Sequence, residues 1–219
     1  MNPFAKYPSV CREIVNLGRE LYSKGFLSGC DGNISIRVED EIWCTPTAIP
    51  KKYLKPEQIC SIKLSGEIIY GKPSSERLMH LEVYRNCPSA KAVVHAHPPH
   101  AIVWSVFDPS LKELPNRCLS EVILAAGSIP IVPYARPGTQ AMGEVLKPFL
   151  PKNKLMILSR HGALSWGTNL LEADIGMDRL EHSAEILFKA RSLGPLTELE
   201  DVEVQNLLAM REKIGNRTL

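Results

Sequence analysis

No two of the six cysteines, Cys11, Cys30, Cys44, Cys60, Cys87 and Cys118, form a C-x-x-C pair. Scattered singly, they suggest neither a thiolate zinc knuckle nor a disulfide framework, and a reducing cytoplasm is the expected setting. The chain also lacks an uninterrupted apolar stretch of about 20 residues, the length a membrane-spanning helix needs. Its opening, MNPFAKYPSVCREIVNLG, has no long apolar segment behind a basic tip, so neither membrane insertion nor export is expected. Blocks of like charge are missing too: 26 basic and 24 acidic residues lie fairly evenly along the chain for a net +2. Without a basic stripe interleaved with aromatics, no nucleic-acid partner is expected. No internal repeat or low-complexity tract is present.

What remains is an ordinary globular composition. With 219 residues, 44% of them hydrophobic, the chain can bury one substantial core, and a single domain over 1–219 is the expectation. Helical spacing of Val10, Ile14, Val15, Leu17 and Leu21 predicts a helix over 9–24, stopped by Gly25. Alternation in NISIRV, its partner EIWCT, and the strand-turn-strand at 59–70 predict antiparallel hairpins. PSSE opens a helix with a serine able to cap it. A strand at 92–94 and a short helix after Pro98-Pro99 follow. Residues 121–126 read equally as helix or strand, and 131–132 as a short strand. A helix is expected over 138–150, and a buried strand at 155–158 that 163–166 continues. A long amphipathic helix over 169–192 and a charged one over 198–213 close the pattern. Hairpins and helices in this order predict a largely antiparallel sheet with helices on both faces.

The segment AVVHAHPPHAIVWS interrupts this pattern, because an apolar strand carries His95 and His97 and then stops at two prolines. Side chains two apart on a strand share a face, so both imidazoles project together. Either they mark the polar edge of a core or they grip a metal. His161 is the third candidate ligand, at a strand end before Gly162, where another group can approach closely. Three neutral imidazoles on rigid strands suit a zinc ion with one open coordination position. His80 and His182 fall in helical runs and read as exposed or core-edge residues; His100, after the prolines, would need a separate turn to join them. Glu76 is the acid singled out for proton transfer, although its place at a helix start also fits the helix dipole. Gly32-Asn33, Thr45-Pro46-Thr47 and Ser74-Ser75 combine small or hydroxyl side chains with turn or helix-start positions, which suits a phosphate as well as it suits simple turns and caps.

Taken together, SGCDGNIS, TPTAIP, PSSE, HAHPPH and RHGALSWG resemble, in order and spacing, the class II aldolase/adducin family, notably its L-fuculose-1-phosphate aldolases. The resemblance runs over about 10–190, one full domain. It implies a three-layer α/β/α fold around a mixed, mainly antiparallel sheet, and a homotetramer with active sites at subunit interfaces. It also implies one zinc ion per subunit on His95, His97 and His161, with Glu76 both binding the metal at rest and acting as base. Asn33, Thr47, Ser74 and Ser75 match the family's phosphate-binding residues. The implied reaction is cleavage of a phosphorylated ketose to dihydroxyacetone phosphate and an aldehyde through an enediolate, with a sugar-phosphate dehydratase or decarboxylase as the alternative. An adducin-like interaction module is the non-enzyme alternative, against which the three histidines and Glu76 argue. Two departures stand out. Ala48 occupies a position commonly glycine, and no tyrosine follows Tyr134, which leaves the family's phenolic proton donor without a match. Glu121 or a water is the candidate substitute, and Glu121 reads equally as a solvated turn residue.

Overall fold

Pro8, with its missing N–H and fixed φ, starts the first long helix where no intrahelical donor is needed. In the computed structural model, which describes residues 3–215, a short α1 (Pro3–Lys6) leads into α2 (Pro8–Ser23), which buries Ile14, Val15, Leu17 and Leu21 of the predicted stripe, leaves Val10 half-buried and buries Cys11 beside them. The hairpin β1 (Asn33–Val38) and β2 (Glu41–Cys44) follows, then β3 (Cys60–Lys63) and β4 (Ile68–Tyr70). Helix α3 (Arg77–Asn86) precedes β5 (Ala92–Ala96) and α4 (Pro99–Phe107). The second half runs α5 (Ser120–Ala126), β6 (Ile131–Val132), α6 (Gln140–Glu144), β7 (Leu155–Leu158), β8 (Gly162–Gly167), α7 (Leu170–Leu193) and α8 (Asp201–Ile214).

The strands form one sheet in the order β4-β3-β2-β1-β5-β8-β7-β6. Every pairing is antiparallel except β6 with β7, so the expected mixed, mainly antiparallel sheet is what forms. The two-residue period of β5 divides the core between the faces. Ala92, Val94 and Ala96 face a cluster with Ile14 of α2, Ala101 of α4 and Leu180 of α7. Val93 faces the opposite cluster, with Met79 and Val83 of α3 and Met142 of α6. Burial on both sides explains why β5 and β7 read as continuous apolar runs. The termini of the expected 1–219 domain, residues 1–2 and 216–219, lie outside the described residues.

Two expectations need correction. Residues 163–166 do not continue the strand at 155–158: the chain reverses through Ser159-Arg160-His161, with Arg160 at φ 58°, and β8 returns antiparallel with Leu158 opposite Gly162. His161 therefore stands in a tight turn. The helix expected over 138–150 is α-helical only from Gln140 to Glu144, because Pro148 has no N–H to donate and the chain beyond closes into turns such as Leu146 N–H to Gly143 O at 3.1 Å. The ambiguous 121–126 segment is helical, with Ile123 packed on Val204 and Leu207 of α8.

Gly162 fixes how closely the turn can approach β5. A Cβ there would stand 2.4 Å from the Ala96 carbonyl oxygen and 2.9–3.0 Å from ring carbons of His97 and His95. Gly162→Ala must therefore push β8 off β5, and we expect urea denaturation to show a loss of about 1–3 kcal/mol, the usual cost of overpacking. An unchanged midpoint would contradict the packing described.

Candidate functional site

The alternation of β5 places His95 on the face that α3 covers, and His97 follows just beyond the strand. The turn between β7 and β8 brings in His161, and Glu76 stands immediately before α3. The three ring centroids lie 4.7–4.9 Å apart. His97 Nε2 is 3.1 Å from His95 Nε2, Glu76 Oε1 is 3.0 Å from His161 Nε2, and Glu76 Oε2 is 3.4 Å from His95 Nε2. His95, His97, His161 and Glu76 thus converge as the sequence predicts.

The tautomer of His95 follows from its partner. Its Nδ1 lies 2.8 Å from the Ala163 carbonyl oxygen, which can only accept, so Nδ1 carries the proton and Nε2 presents a bare lone pair. Full burial pushes His95 down to about 3, and burial lowers His97 as well, so both rings are neutral near pH 7. Burial works to raise Glu76, but its hydrogen bond to His161, the histidine field and the Asn33 amide together hold it below the usual carboxylate range. Lone pairs of an ionised carboxylate and a neutral imidazole therefore face each other, an arrangement that repels unless a cation lies between them. Metal–ligand bonds of 2.0–2.2 Å in a tetrahedron place donor atoms about 3.3–3.6 Å apart, close to the spacings found here. The residues present fit a divalent metal ion.

A cleft of about 510 Å3 opens beside these groups, lined among others by Thr47, Ala48, Ser74, Ser75, Glu76, His97 and His161. Ser74 Oγ accepts from the Glu76 backbone N–H at 3.3 Å, a local turn that presents the Ser74-Ser75 edge to the cleft. Asn33 is 3% exposed and donates to Glu76 Oε2 at 2.7 Å and toward Ser74 Oγ at 3.4 Å, so its amide also fixes the carboxylate. Ala48 takes φ 58°, the left-handed backbone that glycine would supply, at a cost of about 1–2 kcal/mol.

The other histidines fall outside the cluster. His100 Nδ1 meets Glu181 Oε1 at 2.8 Å, and the Glu181 carboxylate also accepts the backbone N–H groups of His100 and Ala101 at the start of α4. His182 is exposed. His80 is not at the core edge but 2% exposed, with Nδ1 2.7 Å from Ser35 Oγ, and burial pulls it down to about 4. Glu121 is not brought to the cleft: it is exposed on α5, beside a separate groove formed with α7. Two residues escaped the sequence reading. Asp31 Oδ2 lies 3.6 Å from His97 Nδ1, and its place inside SGCDGNIS was the available signal. Lys51 lines the cleft although it is 2% exposed; in PKKYLKP it reads as one more surface lysine.

Comparison with known proteins agrees with this geometry. The family model described as Class II Aldolase and Adducin N-terminal domain matches residues 12–188. A 3-oxo-tetronate 4-phosphate decarboxylase of Pectobacterium atrosepticum is 35% identical over 179 residues, 80% of this chain and 82% of that protein. An L-fuculose phosphate aldolase of Methanococcus vannielii is 34% identical over 80% of this chain and 93% of its own length. Among solved structures, YgbL of Escherichia coli superposes with a TM-score of 0.84 at 30% identity, covering 91% of this chain and 98% of that one. An L-fuculose 1-phosphate aldolase gives 0.83 at 26% identity, over 94% and 95%. With the match spanning most of its length and the histidine–carboxylate cluster intact, this chain belongs to the class II aldolase and adducin N-terminal domain family, as an enzyme of it.

Proposed function

We propose that this protein is a zinc-dependent lyase that breaks the bond between the α and β carbons of a phosphorylated ketone, leaving its three-carbon phosphorylated part as dihydroxyacetone phosphate. The observation that carries this reading is the convergence of Glu76 and three imidazoles at the edge of a cleft lined by Thr47, Ser74 and Ser75. His95, His97 and His161 would hold the zinc ion, one per subunit, with Glu76 as the ligand that substrate displaces. Bound there, zinc supplies Lewis acidity at the substrate carbonyl oxygen. Ala163 keeps His95 in the ligating tautomer, and Asn33 orients the Glu76 carboxylate. Thr47, Ser74 and Ser75, with Asn33, would hold the phosphate. Glu76, freed to move a proton, would exchange it with the carbon next to the carbonyl.

Two leaving groups fit. A ketose 1-phosphate would release an aldehyde, the reading the fuculose-phosphate relative supports. A 3-oxo-tetronate 4-phosphate would release carbon dioxide, and both leave the same three-carbon enediolate, which takes a proton on carbon to become dihydroxyacetone phosphate. One sequence observation favours the second. Retro-aldol cleavage must remove a hydroxyl proton as the aldehyde forms, whereas a carboxylate leaves without one, and this chain has no tyrosine after Tyr134. Glu121 could fill that role, or serve a dehydratase, only from a neighbouring subunit, as in the proposed homotetramer with interfacial sites.

Two outcomes test this. His97→Ala should lose bound zinc, measured by elemental analysis of purified protein, together with activity; an active, metal-free variant would remove the three-histidine site. In heavy water, zinc-loaded protein should incorporate deuterium into dihydroxyacetone phosphate by NMR. Glu76→Gln should keep zinc yet slow this exchange by at least about 100-fold, the low end of general acid–base contributions. Exchange at the native rate would take Glu76 out of the mechanism.

A further inference from the structure

Among the described residues, Lys51 is the one lysine or arginine lining the cleft, whose carboxylate groups are those of Asp31 and Glu76. Its aliphatic stem is buried against α2: a Cβ on Gly18 would stand 3.3 Å from Lys51 Cβ and Cγ. Gly18 therefore leaves the channel through which the side chain passes from the core to the cleft floor. There the ammonium donates to the Cys30 carbonyl at 2.7 Å, and among the described residues it forms no salt bridge.

A buried ammonium with one neutral partner is costly, and proteins retain such groups where an anion completes their coordination. The hydroxyl and amide groups assigned to the phosphate (Asn33, Thr47, Ser74 and Ser75) are all neutral. A phosphate dianion entering beside Asp31 and Glu76 needs a positive charge to offset their repulsion, and Lys51 is the cation placed to give it. We infer that Lys51 is the cationic anchor of the substrate's phosphate, reached through the gap at Gly18 and held ready by the Cys30 carbonyl. This rests on the proposed reading of the cleft as a sugar-phosphate site. Burial pulls the Lys51 ammonium below the usual lysine range against the field of Cys30, Asp31 and Glu76, in keeping with a group whose charge an incoming anion secures.

The test is calorimetric binding of inorganic phosphate to zinc-loaded wild-type protein and to Lys51→Met, which fills the same channel without charge. We expect at least tenfold weaker phosphate binding in the variant at unchanged zinc content. In the exchange assay, KM for dihydroxyacetone phosphate should rise tenfold or more, a larger loss than the variant shows with uncharged dihydroxyacetone. Lys51→Arg, which keeps the charge, should bind phosphate more tightly than Lys51→Met. Phosphate bound equally by wild type and Lys51→Met would overturn the role of Lys51 and leave the cleft reading standing. Failure of zinc-loaded wild type to bind phosphate at all would overturn both.

Discussion

The site depends on one electrostatic conflict. The Ala163 carbonyl claims the only proton of a neutral His95, so a bare nitrogen faces the ionised Glu76 at 3.4 Å. His97 Nε2 faces the same nitrogen at 3.1 Å, and His161 meets the other carboxylate oxygen at 3.0 Å. Protonating His95 is opposed by its complete burial, and protonating Glu76 by the groups that hold it ionised. A divalent cation bound among these atoms would remove the conflict, and the scaffold around the cluster holds them at that spacing.

That scaffold is rigid where it must be. His95 sits in a central strand hydrogen-bonded to β1 on one side and β8 on the other. The pairing of Asn33 with His95 across β1 and β5 puts the amide that orients Glu76 directly beside the first imidazole. Gly162 lets the β7–β8 turn close onto Ala96, which brings His161 into range. On the far side of the sheet, the Glu181 carboxylate caps α4 and anchors the chain that leaves His97. Groups built on strands and helix ends in this way are held more precisely than groups on free loops.

Much of this was legible in the sequence, for identifiable reasons. The period-two alternation of NISIRV and the histidines two apart in HAH report side-chain direction, so β1, β5 and the pairing of His95 with His97 could be read off. The reversal at Arg160 could not, because two apolar runs separated by four residues read as one buried strand when the turn relies on a non-glycine at positive φ. The helix over 138–150 failed on Pro148, whose effect periodicity alone underweighted. Lys51 was invisible for another reason: it is buried against Gly18 of α2, which is 33 residues away in sequence. Glu121 shows the converse, a residue selected by its place in the chain that the fold sends to a different groove.

In the proposed reading, aldol cleavage and decarboxylation share the carbonyl, the phosphate and the protonation of the enediolate, and differ in what leaves and in the hydroxyl proton that only the aldol route must remove. The most direct measurement is NMR of zinc-loaded protein supplied in turn with 3-oxo-tetronate 4-phosphate and L-fuculose 1-phosphate, following dihydroxyacetone phosphate as the shared product. At least one substrate should yield it in a zinc-dependent manner, with the 3-oxo-tetronate faster. Release of dihydroxyacetone phosphate from neither substrate, with zinc bound, would contradict the assignment of this cluster as a carbon–carbon lyase centre for such phosphates.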